Sequence, residues 1–429
     1  MFDPARRLAT PTSYWLCPAV IMLGAGWGAN QFSALLGLYR SELGLSVATV
    51  QAMFAVYAVG LIPGLLLGGP VADRCGRRRV VLVFAGLSAL ATAVLMVGSA
   101  WSDLLFVGRF LAGVVTGVLL SAGTAWLKEL SGAPYDPSAS GSAGARRVTV
   151  AVSLGFGLGP LASGLVAQWA PDPLVTAYVP HLLVMLLAIS AARAPETVPR
   201  RGTFPGRTDT AGVSPAVAGS NRGWATARFW WVVAPTALWV FAAPTIGFAV
   251  LPVLVAQRLP GFGTGYAGLV AGLTIGCGLL VQPLGRRLTE RNPVRGALAG
   301  LATAALALSL AALTALTVQP GIALGAAALC GAAYGLCLVS GLTEVIRLAV
   351  PGELASLSAA YYALTYVGFG APYYLALLGS VASTPVLLSS GAALALITMV
   401  IVCVAGRSAR PGPADRPTFV SAHDCDPQR

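Results

Sequence analysis

Apolar residues dominate the chain in long runs that short polar stretches separate. A run of about 20 apolar residues is long enough to cross the hydrocarbon core of a bilayer as an α-helix. Such runs cover residues 14–39, 46–70, 80–101, 103–127, 148–169, 174–193, 229–253, 264–284, 296–318, 321–345, 354–379 and 385–405. The pattern therefore predicts an all-α membrane protein with about twelve transmembrane helices.

Proline residues occur inside several of these runs, although proline normally breaks a helix in water. In a membrane bundle, neighbouring helices can satisfy the backbone groups that a proline frees. We therefore interpret six prolines as kinks that do not end their helices: Pro63, Pro160, Pro235, Pro244, Pro283 and Pro372.

The composition argues against a soluble protein. Hydrophobic residues make up 56% of the 429 residues, charged residues make up 10%, and the mean hydropathy is +0.78. This is more apolar surface than a soluble core can bury. The pI is near 9.8, but the basic residues lie in short loops between apolar runs. Lipid headgroups and topology therefore explain the charge better than a nucleic acid partner does.

The basic residues also predict an orientation, because Lys and Arg are enriched in cytoplasmic loops. If the N-terminus is cytoplasmic, all 27 Lys and Arg residues except Arg40, Arg109 and Arg258 fall in inner segments. We therefore expect a multi-pass protein of the inner (plasma) membrane with both termini in the cytoplasm.

The most informative polar segment follows the second predicted helix and places one acid, Asp73, among several arginines in a short loop. An acid there needs a partner that a moving helix can offer or withdraw, whereas a plain positive-inside anchor needs no acid. The segment resembles the loop between the second and third helices of the major facilitator superfamily, Gly-x-x-x-Asp-Arg-x-Gly-Arg. The residues that match this pattern and its basic extension are Gly69, Asp73, Arg74, Gly76, Arg77, Arg78 and Arg79.

The resemblance implies two six-helix pseudo-repeat halves with the substrate between them near the bilayer midplane. A polar stretch rich in proline and arginine separates two groups of six apolar runs. We predict an N-terminal half at 1–193, a cytoplasmic linker at 194–228, a C-terminal half at 229–405 and a cytoplasmic tail at 406–429. The equivalent loop of the second half, 282–287, keeps two arginines but has no acid, so the repeat is weak in the sequence.

Two further motifs extend the resemblance. Arg109 and Gly113 match an Arg-x-x-x-Gly feature of the family's fourth helix, and a charge at that depth is expected to face protein or water. An arginine that snorkels to the outer interface is the alternative. The fifth helix carries four residues that resemble a motif of the family's antiporters and exporters, and these are Gly155, Gly159, Pro160 and Gly164. Close packing without a functional role is the alternative there.

The group that couples transport to an ion is harder to assign. The family's drug exporters often carry an acid in the first helix, but the corresponding residues, Asn30 and Gln31, do not titrate. The remaining candidates are Arg109, Glu344 and Asp103, with Glu344 preferred as the proton carrier. A static ion pair of Glu344 with Arg347, Arg286 or Arg287 is the alternative. His181 can titrate near neutrality, although its helix usually faces lipid in this fold.

Aromatic and amide side chains on the helices that line the family's central cavity are the candidates for substrate binding. They are Trp27, Asn30 and Gln31 in the first helix, Trp239 in the seventh, Tyr334 in the tenth, and Tyr362, Tyr366 and Phe369 in the eleventh. An aromatic wall with a few amides suits an apolar or amphipathic solute. Helix packing or an interfacial aromatic belt explains the same stripe.

The resemblance leads to the expectation of a proton-driven exporter of small apolar or amphipathic molecules such as antibiotics. An uptake carrier for a metabolite is the alternative. A phosphate-binding loop motif is absent and Lys128 is the only lysine, so ATP is not expected as the energy source. We expect no enzyme activity, no cofactor, no metal and no nucleic acid, and we expect a monomer that exchanges protons and a small-molecule substrate.

Overall fold

The computed structural model describes residues 14–198, 226–292, 294–349 and 354–408, which form helices and short turns with no strand among them. The first six helices are α1 (Leu16–Leu43), α2 (Val47–Cys75), α3 (Arg77–Val97), α4 (Asp103–Leu130), α5 (Ala143–Trp169) and α6 (Pro173–Ser190). The second six are α7 (Phe229–Arg258), α8 (Gly263–Arg291), α9 (Arg295–Thr317), α10 (Pro320–Leu348), α11 (Leu354–Phe369 and Ala371–Leu378) and α12 (Thr384–Ser408). The all-α membrane fold is confirmed.

Eleven of these helices are long and apolar enough to cross a membrane, and α11 is the exception because it is broken at Gly370. Pro372 lies in the first turn of the segment after the break, where its missing N–H costs no intrahelical hydrogen bond. The prediction of an internal kink was therefore wrong for Pro372. Pro235 lies inside α7 directly after a π-helical turn over Phe229–Val233, and it does not end the helix. Of the other predicted kinks, Pro63, Pro160, Pro244 and Pro283 also lie inside continuous helices.

The first helix changes its geometry part of the way along. It is α-helical over Leu16–Asn30, forms a 3₁₀ turn over Gln31–Leu35, and returns to α-helix over Leu36–Leu43. A 3₁₀ turn has about 3.0 residues per turn instead of 3.6, so side chains beyond Asn30 are rotated relative to those before it. The polar residues at the break therefore do not continue one face of α1.

The two groups of six helices repeat the same pairings. α2 packs on α4 as α8 packs on α10, α1 packs on α5 as α7 packs on α11, and α3 packs on α4 as α9 packs on α10. Glycines permit the closest approaches, because a Cβ at Gly113 would strike the backbone of Tyr57 and one at Gly331 would strike that of Thr274. The duplication that is weak in the sequence is clear in the packing.

The two groups touch at one end of the bundle and separate at the other. We call the end with Arg77 and Arg286 the basic end, and the end with Gln51 and Gln168 the opposite end. At the opposite end, Gln51 Nε2 donates to Ala249 O at 3.1 Å and Gln168 Oε1 accepts from the N–H of Gly265 at 2.9 Å. At the basic end, a cavity lies between the groups.

Candidate functional site

The cavity has a volume of about 770 Å³ and runs between the two halves from the middle of the bundle to the basic end. Helices α2, α4 and α5 form one wall, and α8, α10 and α11 form the other. Three tyrosines expected from the sequence, Tyr334, Tyr362 and Tyr366, lie together on the second wall. Phe156 of α5 faces the cavity from the first wall.

An aromatic plug closes the cavity toward the opposite end. It consists of Phe54 and Tyr57 of α2, Phe248 of α7 and Phe369 of α11. Phe54 stacks on Phe369 with ring centroids 4.5 Å apart, and Tyr57 lies 5.7 Å from the same ring. Phe369 was predicted to line the cavity, but it is only 7% exposed and lies within the plug. The plug therefore joins the two halves through stacked rings.

Arg109 lies directly behind the plug and is fully buried. Its Nη1 donates to Ala29 O at 3.1 Å and its Nη2 donates to Phe54 O at 3.3 Å. Its guanidinium carbon lies 4.7 Å from the centre of the Phe32 ring and 4.6 Å from that of Tyr57. Among the described residues, no carboxylate pairs with it. Arg109 thus does not snorkel to the interface, and it does not face the cavity in this conformation.

Gln31 of α1 belongs to a buried hydrogen-bond chain and does not line the cavity. Gln31 Nε2 donates to Thr92 Oγ1 at 3.4 Å. The same Thr92 oxygen lies 2.8 Å from His181 Nδ1, and His181 Nε2 lies 3.0 Å from Gly24 O. Because a carbonyl only accepts, Nε2 carries the ring hydrogen, and Nδ1 accepts from Thr92. His181 is therefore buried against α1 and α3 and does not face lipid.

Three other candidates from the sequence also do not line the cavity. Asn30 Nδ2 donates to Phe156 O at 3.2 Å, which ties α1 to α5. Trp239 Nε1 donates to Thr398 Oγ1 of α12 at 3.3 Å, so the expectation that Trp239 reaches the cavity was wrong. Trp27 does not line it either, and its backbone lies against Gly159. Hydropathy and helix periodicity cannot distinguish such faces, because every face of these helices is apolar.

The segment that was predicted as a basic loop is almost entirely helical. α2 continues through Asp73 to Cys75, and α3 begins at Arg77, so Gly76 alone forms the turn. Gly76 has φ +95°, a conformation that favours glycine, and a Cβ there would lie 2.6 Å from Glu196 Oε2. Asp73 is therefore a helical residue, with a side chain that is 60% exposed.

Two acids that sequence reasoning missed complete this cluster. Arg77 pairs with Asp73 at 3.1 Å and with Glu129 at 2.9 Å. The Glu196 carboxylate accepts from the backbone N–H groups of Arg77 and Arg78 at 2.8 and 3.0 Å. It thereby caps the first turn of α3, where a negative charge is stabilised by the helix dipole. Arg74 is exposed. Glu196 lies in the predicted linker, so the start of that linker packs on the first half.

The second half has its own ion cluster at the basic end. Glu344 is 2% exposed and pairs with Arg228 at 3.0 Å and with Arg347 at 3.1 Å. Arg347 was expected as a partner, whereas Arg228, at the start of α7, was not. Asp103, the other acid proposed for coupling, is exposed at the first turn of α4 and faces the opposite end.

The glycines of α5 serve two different contacts. A Cβ at Gly155 would strike the backbone of Leu23, and one at Gly159 would lie 2.8 Å from Trp27 Cα, so both glycines pack on α1 within the first half. A Cβ at Gly164 would lie 2.8 Å from Gly268 Cα of α8, and Pro160 O lies against the same glycine. Gly164 and Pro160 therefore form a seam between the halves at the opposite end.

Comparisons with known proteins support the same fold. The family model of the Major Facilitator Superfamily matches residues 16–372. A solved structure of a POT family transporter in complex with 5-aminolevulinic acid superposes with a TM-score of 0.73 at 14% identity, covering 92% of this chain and 96% of that one. At this identity the likeness concerns the fold alone.

Relatives in sequence match over shorter regions. Multidrug resistance protein MdtL of Shewanella oneidensis is 33% identical over 117 residues, which are 27% of this chain and 29% of that protein. The 3-(3-hydroxy-phenyl)propionate transporter of Escherichia coli is 31% identical over 206 residues, which are 44% of this chain and 45% of that protein. The matched regions thus cover less than half of either relative.

Proposed function

Because the chain belongs to the major facilitator superfamily, we propose that it exports small apolar or amphipathic molecules across the inner membrane by alternating access. The cavity between the halves, open at the basic end and closed by the aromatic plug, is the observation that carries this proposal. Its tyrosine wall suits an amphipathic solute, because each ring offers an apolar face and a polar hydroxyl. The similarity to multidrug resistance proteins supports export.

In this proposal the basic end faces the cytoplasm, in keeping with the preference of arginine for that side. The described conformation then opens inward, ready to receive a solute from the cytoplasm. Export requires the plug and the seam at Gly164 to separate while the basic end closes. The termini and most of the linker lie outside the described residues, and their cytoplasmic location remains part of the proposal.

We propose that Asp73 stabilises the conformation in which the basic end is closed. In the inward-open conformation its only ion pair among the described residues is with Arg77, one turn away on the neighbouring helix. We infer that in the outward-open conformation its carboxylate docks at the N-terminal end of α11, which begins at Leu354. A helix N-terminus carries a partial positive charge and stabilises such a carboxylate.

Protons are the proposed coupling ions, and Glu344 is the proposed carrier. It is buried near the basic end, and two guanidinium groups hold it in this conformation. A proton can replace one of these partners when α7 and α10 rearrange, which would link protonation to the change of state. Asp103 is less suited to this role, because it is exposed in the inward-open state.

The direction of transport is the point that most needs an experiment. An uptake carrier is the second candidate, and the similarity to the 3-(3-hydroxy-phenyl)propionate transporter favours it. Purified protein in liposomes, with a pH gradient imposed in each direction, would separate the two. An antiporter accumulates solute on the more acidic side, whereas a symporter accumulates it on the more alkaline side. Solute that equilibrates without accumulating under either gradient would contradict proton coupling.

A further inference from the structure

The lining of the proposed transport cavity carries few charges. Arg286 and Glu290, one turn apart on α8, are the two ionic side chains among its lining residues, and both are exposed at the mouth. Neither forms an ion pair with a described residue. Beyond them the lining is aromatic, aliphatic, hydroxylic and amide, so the charge that an ion meets further inward comes from groups behind the walls.

The charges behind the cavity walls are positive. Arg109 is buried without a carboxylate partner in the described part of the chain, and only Tyr57, Phe369 and Tyr366 separate it from the cavity. The buried acid Glu344 is matched by two arginines. A low-dielectric environment strengthens such interactions, so an anion in the cavity is stabilised and a cation is repelled.

The shape of the cavity wall points to a planar solute. Tyr334 and Tyr366 both stack on Phe241, with ring centroids 5.9 and 4.8 Å apart, which fixes the two tyrosine rings as a rigid surface. Tyr362 lies beside them on α11. Aromatic surfaces of this kind favour offset stacking with another ring. Ser153 and Thr149 on the facing wall offer hydroxyl groups to a polar substituent.

We propose that the transported molecules are aromatic acids, whose rings stack on Tyr334, Tyr362 and Tyr366 and whose carboxylate is drawn in by Arg286. This inference rests on the proposed transport function and narrows its substrate class. It excludes lipophilic cations as preferred solutes.

Three probes that share a 3-hydroxyphenyl ring and differ in the charge of the end group test the proposal. They are 3-(3-hydroxyphenyl)propionate, its neutral methyl ester, and the cationic 3-(3-hydroxyphenyl)propylamine. Binding to the purified full-length protein in nanodiscs is measured by calorimetry, without any gradient. We expect the carboxylate to bind about tenfold more tightly than the amine. Arg286→Gln should lower that preference, with Arg109 left to sustain the remainder, and Glu290→Gln should increase it. Arg287→Gln is the matched control, because Arg287 is exposed on the same helix but does not line the cavity.

Two results would overturn the assignment. One is an amine that binds as tightly as the carboxylate or more tightly, and the other is a preference that Arg286→Gln leaves unchanged. Failure of all three probes to bind the wild-type protein would also refute this substrate class. Because binding is measured without flux, these results leave the transport proposal intact. That proposal fails separately if liposomes with the protein move no solute that empty liposomes do not.

Discussion

Arg109 places a full charge among apolar side chains, and two backbone carbonyls with flanking aromatic rings take the place of a counter-ion. An arginine at the centre of a membrane helix costs about 2.5–3.5 kcal/mol on insertion scales. Each hydrogen bond from a charged donor contributes about 1.5–3 kcal/mol, so two of them offset this cost. Arg109 therefore fastens α4 to α1 and α2 and stabilises the first half.

Arg109→Lys should destabilise the protein although it preserves the charge. The compact ammonium group cannot reach Ala29 O and Phe54 O together as the planar guanidinium does. Loss of one charged hydrogen bond predicts about 1.5–3 kcal/mol of destabilisation, which thermal unfolding in detergent would register. Arg258→Lys, at an exposed arginine of the opposite end, is the control and should unfold like the wild type. Equal unfolding midpoints for all three proteins would contradict the role of Arg109.

Glu344→Gln should separate coupling from translocation. The amide cannot exchange a proton, so liposomes should lose pH-driven accumulation while downhill equilibration continues. The variant also leaves Arg228 and Arg347 without an anion, which predicts destabilisation of about 1–3 kcal/mol, since Arg347 is 39% exposed. Glu42→Gln, an exposed acid at the opposite end, is the control. A Glu344→Gln protein that still accumulates solute would move the coupling site elsewhere.

At the scale of elements, α5 makes two different kinds of helix contact, one in its middle and one at its far end. Its middle packs on α1 through Gly155 and Gly159, and these contacts stay within one half. Its far end meets α8 through Gly164 and Gly268 and so joins the two halves. In the proposed alternating-access cycle, the contact with α1 is kept and the contact with α8 breaks when the opposite end opens.

Gly164→Ala should therefore shift the conformational equilibrium more than the stability. Its Cβ would lie 2.8 Å from Gly268 Cα and from Thr264 O, which disfavours closure of the opposite end. Spin labels at Ser41 of α1 and Gln257 of α7, in a background without native cysteines, measure the separation of the two halves at the opposite end. The variant should show a larger population of long distances between the two labels. Gly157→Ala is the control, because its Cβ meets nothing closer than Ile275 at 4.0 Å. Gly159→Ala should instead lower stability. Identical distance distributions for Gly164→Ala and Gly157→Ala would refute the seam.

At the scale of the whole molecule, the ion clusters of the two halves lie at the same end as the cavity mouth. All ion pairs among the described residues are found there, at Arg77, Arg147, Arg228 and Arg347. The opposite end is held instead by the aromatic plug, by glutamine hydrogen bonds and by the glycine seam. In the proposed cycle the two ends therefore close by different chemistry, and salt is expected to weaken closure of the charged basic end only.

Asp73→Asn should hold the protein in the inward-open state. Its single exposed ion pair contributes little in that state, whereas docking on α11 requires the negative charge. The spin-label pair at 41 and 257 should then show short distances with or without solute, and export should fall. Asp172→Asn, an exposed acid at the opposite end, is the control. If Asp73→Asn transports at the wild-type rate, its gating role is wrong.

The sequence by itself determined the membrane fold, the approximate helix positions and the family. Apolar runs of spanning length are a local property, and so are motifs such as Gly76–Arg79, so both can be read without knowing what packs where. The three cavity tyrosines were also found, because their helices line the cavity of the resembled family.

Tertiary structure alone decided which polar groups meet. Glu129, Glu196 and Arg228 complete the ion clusters from distant positions in the chain. The 3₁₀ turn after Asn30 directs Gln31 toward Thr92 and away from the cavity. In a bilayer every helix face is apolar, so hydrophobic periodicity no longer separates buried faces from exposed ones. Which face meets protein, cavity or lipid is therefore set by the packing of all the helices together.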